Sequence, residues 1–219
     1  MSKLKDENGV LLETLINMFT VEKGILKILL EKKQKDPYKG YWILPNDILK
    51  KNITLEENIE ETIKRVVNTS KIYLKQDFTF SSINRNPSER IIATSYIALV
   101  DNRVLKINND IELKWFDLEE LPKIGYDHKE IIEKSRETLK KGLLTTTILK
   151  KLFPNNFTLP ELQSVFESIM NKKLDRRNFR KKILNLNLIE ELESTNKSGS
   201  GRPAKLYKFK ENLKEINLF

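Results

Sequence analysis

Asp175-Arg176-Arg177-Asn178-Phe179-Arg180-Lys181-Lys182-Ile183-Leu184-Asn185 is the stretch whose reading decides the fold. Wound as an α-helix with Phe179 at the centre of a buried face, it brings Ile183 and then Leu186 to the same side, while Arg177 and Lys181 point the opposite way. Asn178 and Arg180 flank that outer face, and Arg176 and Lys182 lie nearer the buried side. Arg can donate two bonds to guanine and Asn can pair bidentately with adenine, so the outer face has the side-chain types that read bases. Arg176 and Lys182 are better placed to touch phosphates, which position a protein on the duplex without specifying sequence.

A charge run alone is more often a solvated helix face. The neighbouring sequence decides between the two readings. Upstream, helical spacing fits Leu144 to Leu152 and Leu159 to Met170, with Pro160 suitably placed in a first turn. Downstream, Leu188 to Leu192 and Ala204 to Phe209 read as short strands around the tip Lys197-Ser198-Gly199-Ser200-Gly201-Arg202-Pro203. Three short helices and a basic hairpin make a winged helix-turn-helix, in which the third helix enters the major groove and the hairpin touches the flanking backbone. The predicted DNA-binding set is therefore Arg176, Arg177, Asn178, Arg180, Lys181 and Lys182 on the helix, with Lys197, Arg202 and Lys205 on the hairpin.

The charge distribution agrees. Leu144 to Phe219 holds 15 Lys/Arg against 8 Asp/Glu, a surplus of +7, which leaves only +2 of the formal +9 for everything before it. A concentrated positive field of this kind attracts polyanions. With 39% apolar and 32% charged residues, 219 residues suit a soluble protein of two modest domains. The absence of cysteine excludes disulfides, a thiolate nucleophile and cysteine-held zinc or iron–sulfur centres. A single histidine, His128, argues against a histidine-rich metal centre and leaves carboxylates as the only ligands for a hard cation such as magnesium; no cofactor is expected. Met1-Ser2-Lys3-Leu4-Lys5-Asp6 has no apolar signal core and no run is long enough to span a membrane, which predicts a cytoplasmic protein.

In the first half, strand-like segments run over Leu12 to Val21, Ile25 to Glu31 after a turn at Lys23-Gly24, Tyr73 to Ser81, Ile91 to Val100 and Ile111 to Phe116. A helix interrupts them at Thr54, whose hydroxyl and Glu57 three residues on form a capping box. Its stripe is Leu55, Ile59, Ile63 and Val66. A second helix follows Asp127, a good cap, through Ile131, Ile132 and Leu139 towards Gly142. The pattern changes there, giving predicted domains of residues 1–142 and 143–219.

Leu44-Pro45-Asn46-Asp47-Ile48-Leu49, then Thr54-Leu55-Glu56-Glu57 and Ile63, resembles the loop–helix signature of the Nudix superfamily. In active members a glycine opens this box, and a helical Arg-Glu followed three residues later by Glu-Glu binds magnesium for pyrophosphate hydrolysis. The corresponding positions here are Asp47, Glu61-Thr62 and Arg65-Val66, with Ile53 for the glutamate before the helix and Asn68 for the closing glycine. A magnesium ion there would meet Arg65 and Val66, which repel it or offer no oxygen. No catalytic residue and no enzymatic activity are therefore expected. The remaining acids have a structural reading as i, i+4 pairs, Glu60 with Lys64 and Glu61 with Arg65.

A Nudix-like domain before a winged helix is similar to the domain order of the NrtR family of Nudix-related transcription regulators, over nearly the whole chain. Asn84-Arg85-Asn86-Pro87-Ser88-Glu89-Arg90 looks like the family's Asp-Arg-Asp-Pro-Arg loop, and Tyr126-Asp127-His128 resembles its aromatic-Asp-His turn. The helix from Asp175 and Gly201-Arg202-Pro203-Ala204-Lys205-Leu206-Tyr207 resemble its recognition helix and wing. The resemblance implies an α/β fold: a Nudix-like α/β/α sandwich with a mixed sheet, plus the winged helix. It further implies a homodimeric repressor on double-stranded DNA, controlling NAD or sugar metabolism in response to ADP-ribose, another nucleotide or a sugar. Arg85 and Arg90 are the expected contacts to an anionic effector, since guanidiniums bind phosphate bidentately; an exposed turn pinned by Glu89 explains them equally well. His128 lines the pocket or simply packs behind a helix capped by Asp127. Two other functions stay open: a metal-dependent pyrophosphatase using Glu56, Glu57, Glu60 or Glu61, and a constitutive DNA-binding protein whose first domain is only a scaffold.

Overall fold

The computed structural model describes residues 9–67, 72–101, 105–143, 146–153, 156–196 and 204–211. Lys197 and Arg202 at the wing tip, and Asn68 at the end of the box, lie outside the described residues. The chain forms two compact units, Met1–Thr20 with Lys27–Glu137, and Val21–Leu26 with Thr138–Phe219.

The first unit is built on a mixed sheet. Strands β1 (Leu11–Glu22) and β2 (Ile25–Lys32) are joined at Lys23-Gly24, whose φ values of 51° and 77° give the left-handed turn that suits the twist of a two-residue hairpin. Two very short strands follow, β3 (Trp42–Ile43) and β4 (Asn46–Ile48), then helix α1 (Leu55–Val66). Strands β5 (Tyr73–Phe80), β6 (Ile91–Leu99) and β7 (Leu113–Asp117) complete the sheet before helix α2 (His128–Gly142). The strand order is β3-β2-β1-β6-β5, with β4 also pairing β1 and β7 pairing β2. β1 and β6 are parallel, in register from Leu11 with Ile91 to Phe19 with Leu99. β5 and β7 are antiparallel to their neighbours.

The strands fall within about two residues of the sequence reading, apart from β3 and β4, which are too short to leave a periodic signal. β7 starts at Leu113 rather than Ile111 because Asn108 Oδ1 accepts the Asp110 amide and holds a turn just before it. α1 starts as its sequence requires. Thr54 Oγ1 accepts the Glu57 amide at 3.1 Å while Glu57 Oε2 accepts the Thr54 amide at 2.8 Å. Its inner face buries Asn58, Ile59, Thr62, Ile63 and Val66, and the apolar members pack with Ile16, Met18, Leu29, Tyr96 and Ala98. Each such aliphatic side chain contributes about 1.5–3 kcal/mol on burial. On α2, the Ser135 hydroxyl donates to Asp77 of β5 at 2.7 Å.

The second unit holds α3 (Thr146–Leu152), α4 (Leu159–Met170), α5 (Arg176–Asn185), β8 (Ile189–Asn196) and β9 (Ala204–Phe209). Thr158 and Glu161 form a second capping box with Pro160 in the first turn of α4. Asn171, in the left-handed conformation at φ 51°, ends that helix. The core is aromatic: Phe166 meets Phe179 edge-on at 5.3 Å, and Phe157 stacks near Phe153 and Phe209 at 5.0 and 4.9 Å. Phe157 and Tyr207 exchange both backbone bonds, adding a third segment to the β8–β9 hairpin. β8 continues to Asn196, past the expected end at Leu192: beyond a register shift after Glu191, Thr195 and Asn196 pair with Lys205 and Ala204 of β9.

Candidate functional site

α5 presents its cations as its wheel requires. Asp175 caps it through its carboxylate, which accepts the Asn178 amide at 2.8 Å. Phe179 and Ile183 are buried, while Arg176, Arg177, Asn178, Arg180, Lys181 and Lys182 are all exposed. Leu184 is also exposed, at 40%, on the outer side with Arg177 and Lys181. The same helical wheel could have found it; attention to charge alone passed it over.

The turn that aims α5 is held by Glu167. Its carboxylate accepts the Leu174 amide at 2.9 Å, Gln163 Nε2 at 2.9 Å and Lys173 Nζ at 3.0 Å. These bonds, the Leu174 amide first, hold its carboxyl below the usual carboxylate range.

The hairpin is less purely basic than its sequence reading. Lys205 Nζ lies 2.5 Å from Glu191 and Lys208 Nζ lies 2.7 Å from Glu190, so each of these wing lysines faces a carboxylate across the strands. Glu191 also accepts from the Tyr207 hydroxyl at 3.3 Å. The signal was legible in Glu190-Glu191-Leu192-Glu193. Such exposed pairs are weak because solvent screens them, so phosphates can compete for the lysines.

In the first unit, Arg85 sits in a turn whose other residues are largely exposed, but its own side chain points inward and is no solvent-facing anion receptor. Its side chain is 2% exposed. Nε and Nη2 donate to the two oxygens of Asp127, each at 2.9 Å, and Nη1 donates to Glu13 at 3.0 Å. Two carboxylates occupy the guanidinium because a buried cation needs compensating charge. Asp127 spends its carboxylate on Arg85 rather than as the side-chain cap expected for α2; its backbone carbonyl accepts the Ile131 amide instead. Glu13 is pushed up by burial, which outweighs Arg85.

His128 is buried beside this pair, and its Nδ1 accepts the Leu44 amide at 3.0 Å. That bond assigns the ring proton to Nε2. Burial first, then Arg85 and Lys33, lower its pKa to about 3, so it is neutral at pH 7. Arg90 remains partly exposed, with Nη1 on the Ser82 carbonyl at 2.9 Å.

The box helix also departs from one expectation. Glu60 and Lys64 do approach, at 3.9 Å, but Glu61 pairs with Lys50 rather than Arg65. Arg65 reaches across to Glu31 at 2.8 Å and to the Asn46 carbonyl at 3.1 Å. A buried-side Thr62 donates to the Asn58 carbonyl, and Val66 is fully buried. Among the described residues no three His, Asp or Glu side chains are grouped to hold a metal ion.

Residues 150–209 match the family described as the NrtR DNA-binding winged helix domain. The chain is 27% identical over 200 residues to the ADPR responsive transcriptional repressor NtrR of Acinetobacter baylyi, covering 88% of this chain and 79% of that one. It is 33% identical over 108 residues to an ADP-ribose pyrophosphatase of Methanocaldococcus jannaschii, covering 49% of this chain and 64% of that one. Among solved structures, Shewanella oneidensis NrtR complexed with a 27mer DNA superposes with a TM-score of 0.73 at 26% identity, covering 91% and 93% of the two chains. With a mixed α/β unit carrying an altered Nudix box and a winged helix behind it, the chain is similar to the NrtR regulators over nearly its whole length, and residues 150–209 match their DNA-binding winged helix domain.

Proposed function

We propose that this chain is a DNA-binding transcription repressor whose residues 1–142 sense an ADP-ribose-type nucleotide and dimerise, and whose residues 143–219 bind a two-fold symmetric operator. The observation that carries the reading is α5: a helix with six polar and cationic groups turned outward on a two-residue apolar anchor. The Acinetobacter relative supports the nucleotide and the repression, and the Shewanella complex supports the DNA. In a dimer the two recognition helices would sit about 34–36 Å apart, one turn of the duplex. Arg176, Arg177, Asn178, Arg180, Lys181, Lys182, Lys205 and the tip residues Lys197 and Arg202 form the proposed DNA contact set, and the protein acts in the cytoplasm. Arg90 keeps its place as an effector contact; Arg85 and His128 act from behind the site.

Hydrolysis is not part of this function. Thr62, Arg65 and Val66 stand where the Nudix box needs carboxylates, and two of the three are buried. Fluorescence anisotropy of the full chain on DNA from upstream of its own gene, over a salt series and with ADP-ribose added, tests the reading. Binding should weaken steeply with salt as counterions are released, and ADP-ribose should change the affinity. Absent or salt-insensitive binding would sink the proposal, and magnesium-dependent turnover of ADP-ribose would overturn its non-enzymatic part.

A further inference from the structure

The strands of the C-terminal hairpin turn alternate side chains to opposite faces, and each face carries one acid–lysine pair. Glu191 of β8 stands opposite Tyr207 of β9, and Glu190 stands opposite Lys208. On the first face Lys205 Nζ lies 2.5 Å from Glu191 Oε1, and the Tyr207 hydroxyl donates to Oε2 of the same carboxylate at 3.3 Å. Tyr207 and Phe209 are both buried, so this is the face turned to the core of the unit. The Glu190–Lys208 pair, at 2.7 Å, belongs to the opposite face.

Glu191 differs from Glu190 in a second respect, because the basic helix α5 acts on it. The Lys205 bond first, with Tyr207 and Arg180 adding to it, holds its carboxyl below the usual carboxylate range. The Tyr207 hydroxyl, pushed up mainly by burial, feels Glu191 and Arg180 as well. Glu190 is matched instead with Lys208, whose other acidic neighbour is Glu211. One carboxylate therefore stands between a cation of the recognition helix and a cation of the wing. The side chains of Glu191 and Lys205 are about half exposed, so a duplex can reach both.

We propose that Glu191 is a specificity-determining residue of the DNA surface: a shared carboxylate that reserves Lys205 and Arg180 for the docking register in which phosphates can use them without taking them from Glu191. A lysine carries three donors and an arginine five, so either can bridge a carboxylate and a phosphate that lie on different sides of it. Base contacts from α5 fix that register on the operator. On other sequences binding is loose and almost wholly electrostatic. There the phosphate and the carboxylate compete for the same cations and repel each other, so Glu191 penalises the wrong duplex more than the right one. This inference rests on the DNA-binding reading and names a residue that sharpens it.

Fluorescence anisotropy of the full chain on the upstream duplex and on a shuffled duplex of equal length, each over a salt series, tests it. Glu191→Gln keeps the side-chain length and an acceptor for the Tyr207 hydroxyl while removing the charge. It should bind the shuffled duplex at least about threefold more tightly, with a salt slope steeper by about one, the signature of one added phosphate contact. Affinity for the upstream duplex should stay within about twofold, because the bridged cations are already in use there. Glu190→Gln, the same change on the other face, should leave the preference between duplexes as in wild type. A preference unchanged or raised in Glu191→Gln, or lost equally in Glu190→Gln, would overturn the proposal while leaving the DNA-binding reading standing. Weaker binding of both duplexes with a lowered unfolding midpoint would overturn it too, leaving Glu191 a structural clip. No preference for the upstream duplex in wild type would overturn both.

Discussion

Arg85 and Asp127 form a two-bond, side-on pair inside the first unit, through Nε and Nη2 with both bonds at 2.9 Å, and Glu13 takes the remaining Nη1. The three residues come from β1, the loop before β6 and the start of α2, so one cation ties three separate segments together. Removing it would leave two carboxylates facing each other without compensation. Breaking a buried pair in this way typically costs about 3–5 kcal/mol. Arg85→Met should therefore lower stability by that order in chemical denaturation. Asp127→Asn, which keeps one acceptor and leaves Glu13 to balance Arg85, should cost less. A reversed order would mean that Asp127, not Arg85, is the hub.

On α5 the prediction separates folding from binding. Arg177 and Lys181 are exposed and lie opposite Phe179 and Ile183. Arg177→Ala and Lys181→Ala should leave the unfolding midpoint within about 0.5 kcal/mol of wild type, as surface substitutions do. Operator affinity should fall by about 1–3 kcal/mol where the side chain reads a base. Where it meets a phosphate, the log–log salt slope should shrink by about one. Anisotropy over a salt series distinguishes the two, and wild-type affinity in both variants would show that the helix presents another face.

Leu184 adds a sequence preference of a different kind. On the proposed recognition helix, an exposed leucine beside Arg177 and Lys181 adds little to stability, but its type suits contact with the methyl group of thymine. Leu184→Ser should weaken operator binding, and replacing operator thymines singly with uracil should weaken wild type at one position without affecting the variant. If uracil has no effect at any position, Leu184 does not touch the bases.

How much of this was legible in advance divides along physical lines. Whatever depends on neighbours in sequence could be read: the two-residue turn at Lys23-Gly24, the capping box at Thr54 and Glu57, and the apolar side of α5 at Phe179 and Ile183. Partnerships between distant segments could not. Arg65 was assigned to Glu61 because both lie on one helix, yet it crosses 34 positions to Glu31, and Glu61 turns to Lys50. Arg85 looked like a surface arginine in a loop because nothing nearby in sequence announces Glu13, 72 positions away. β3 and β4 escaped because two or three residues cannot display a period of two. Positive φ at Tyr38 and Tyr126 was invisible for a similar reason, since tyrosine has no local preference for that conformation.

His128 supplies a pH prediction whose sign can be worked out. In the unfolded chain it takes up a proton near its ordinary pKa of 6.5, but in the fold it resists protonation down to about 3. Between those values the unfolded state binds more protons, so stability falls as pH drops through that window, by up to about 1.4 kcal/mol per pH unit for one full proton. Glu13 acts in the opposite sense, because its raised pKa favours the fold at the acidic side and loses that contribution as pH rises through the folded value. The contrast with His128→Gln isolates the histidine. A glutamine oxygen can still accept the Leu44 amide but does not titrate. Denaturation midpoints measured from pH 7 to pH 4.5 should decline more steeply for wild type than for His128→Gln; parallel curves would show that the imidazole is protonated in the fold and that Leu44 has found another acceptor.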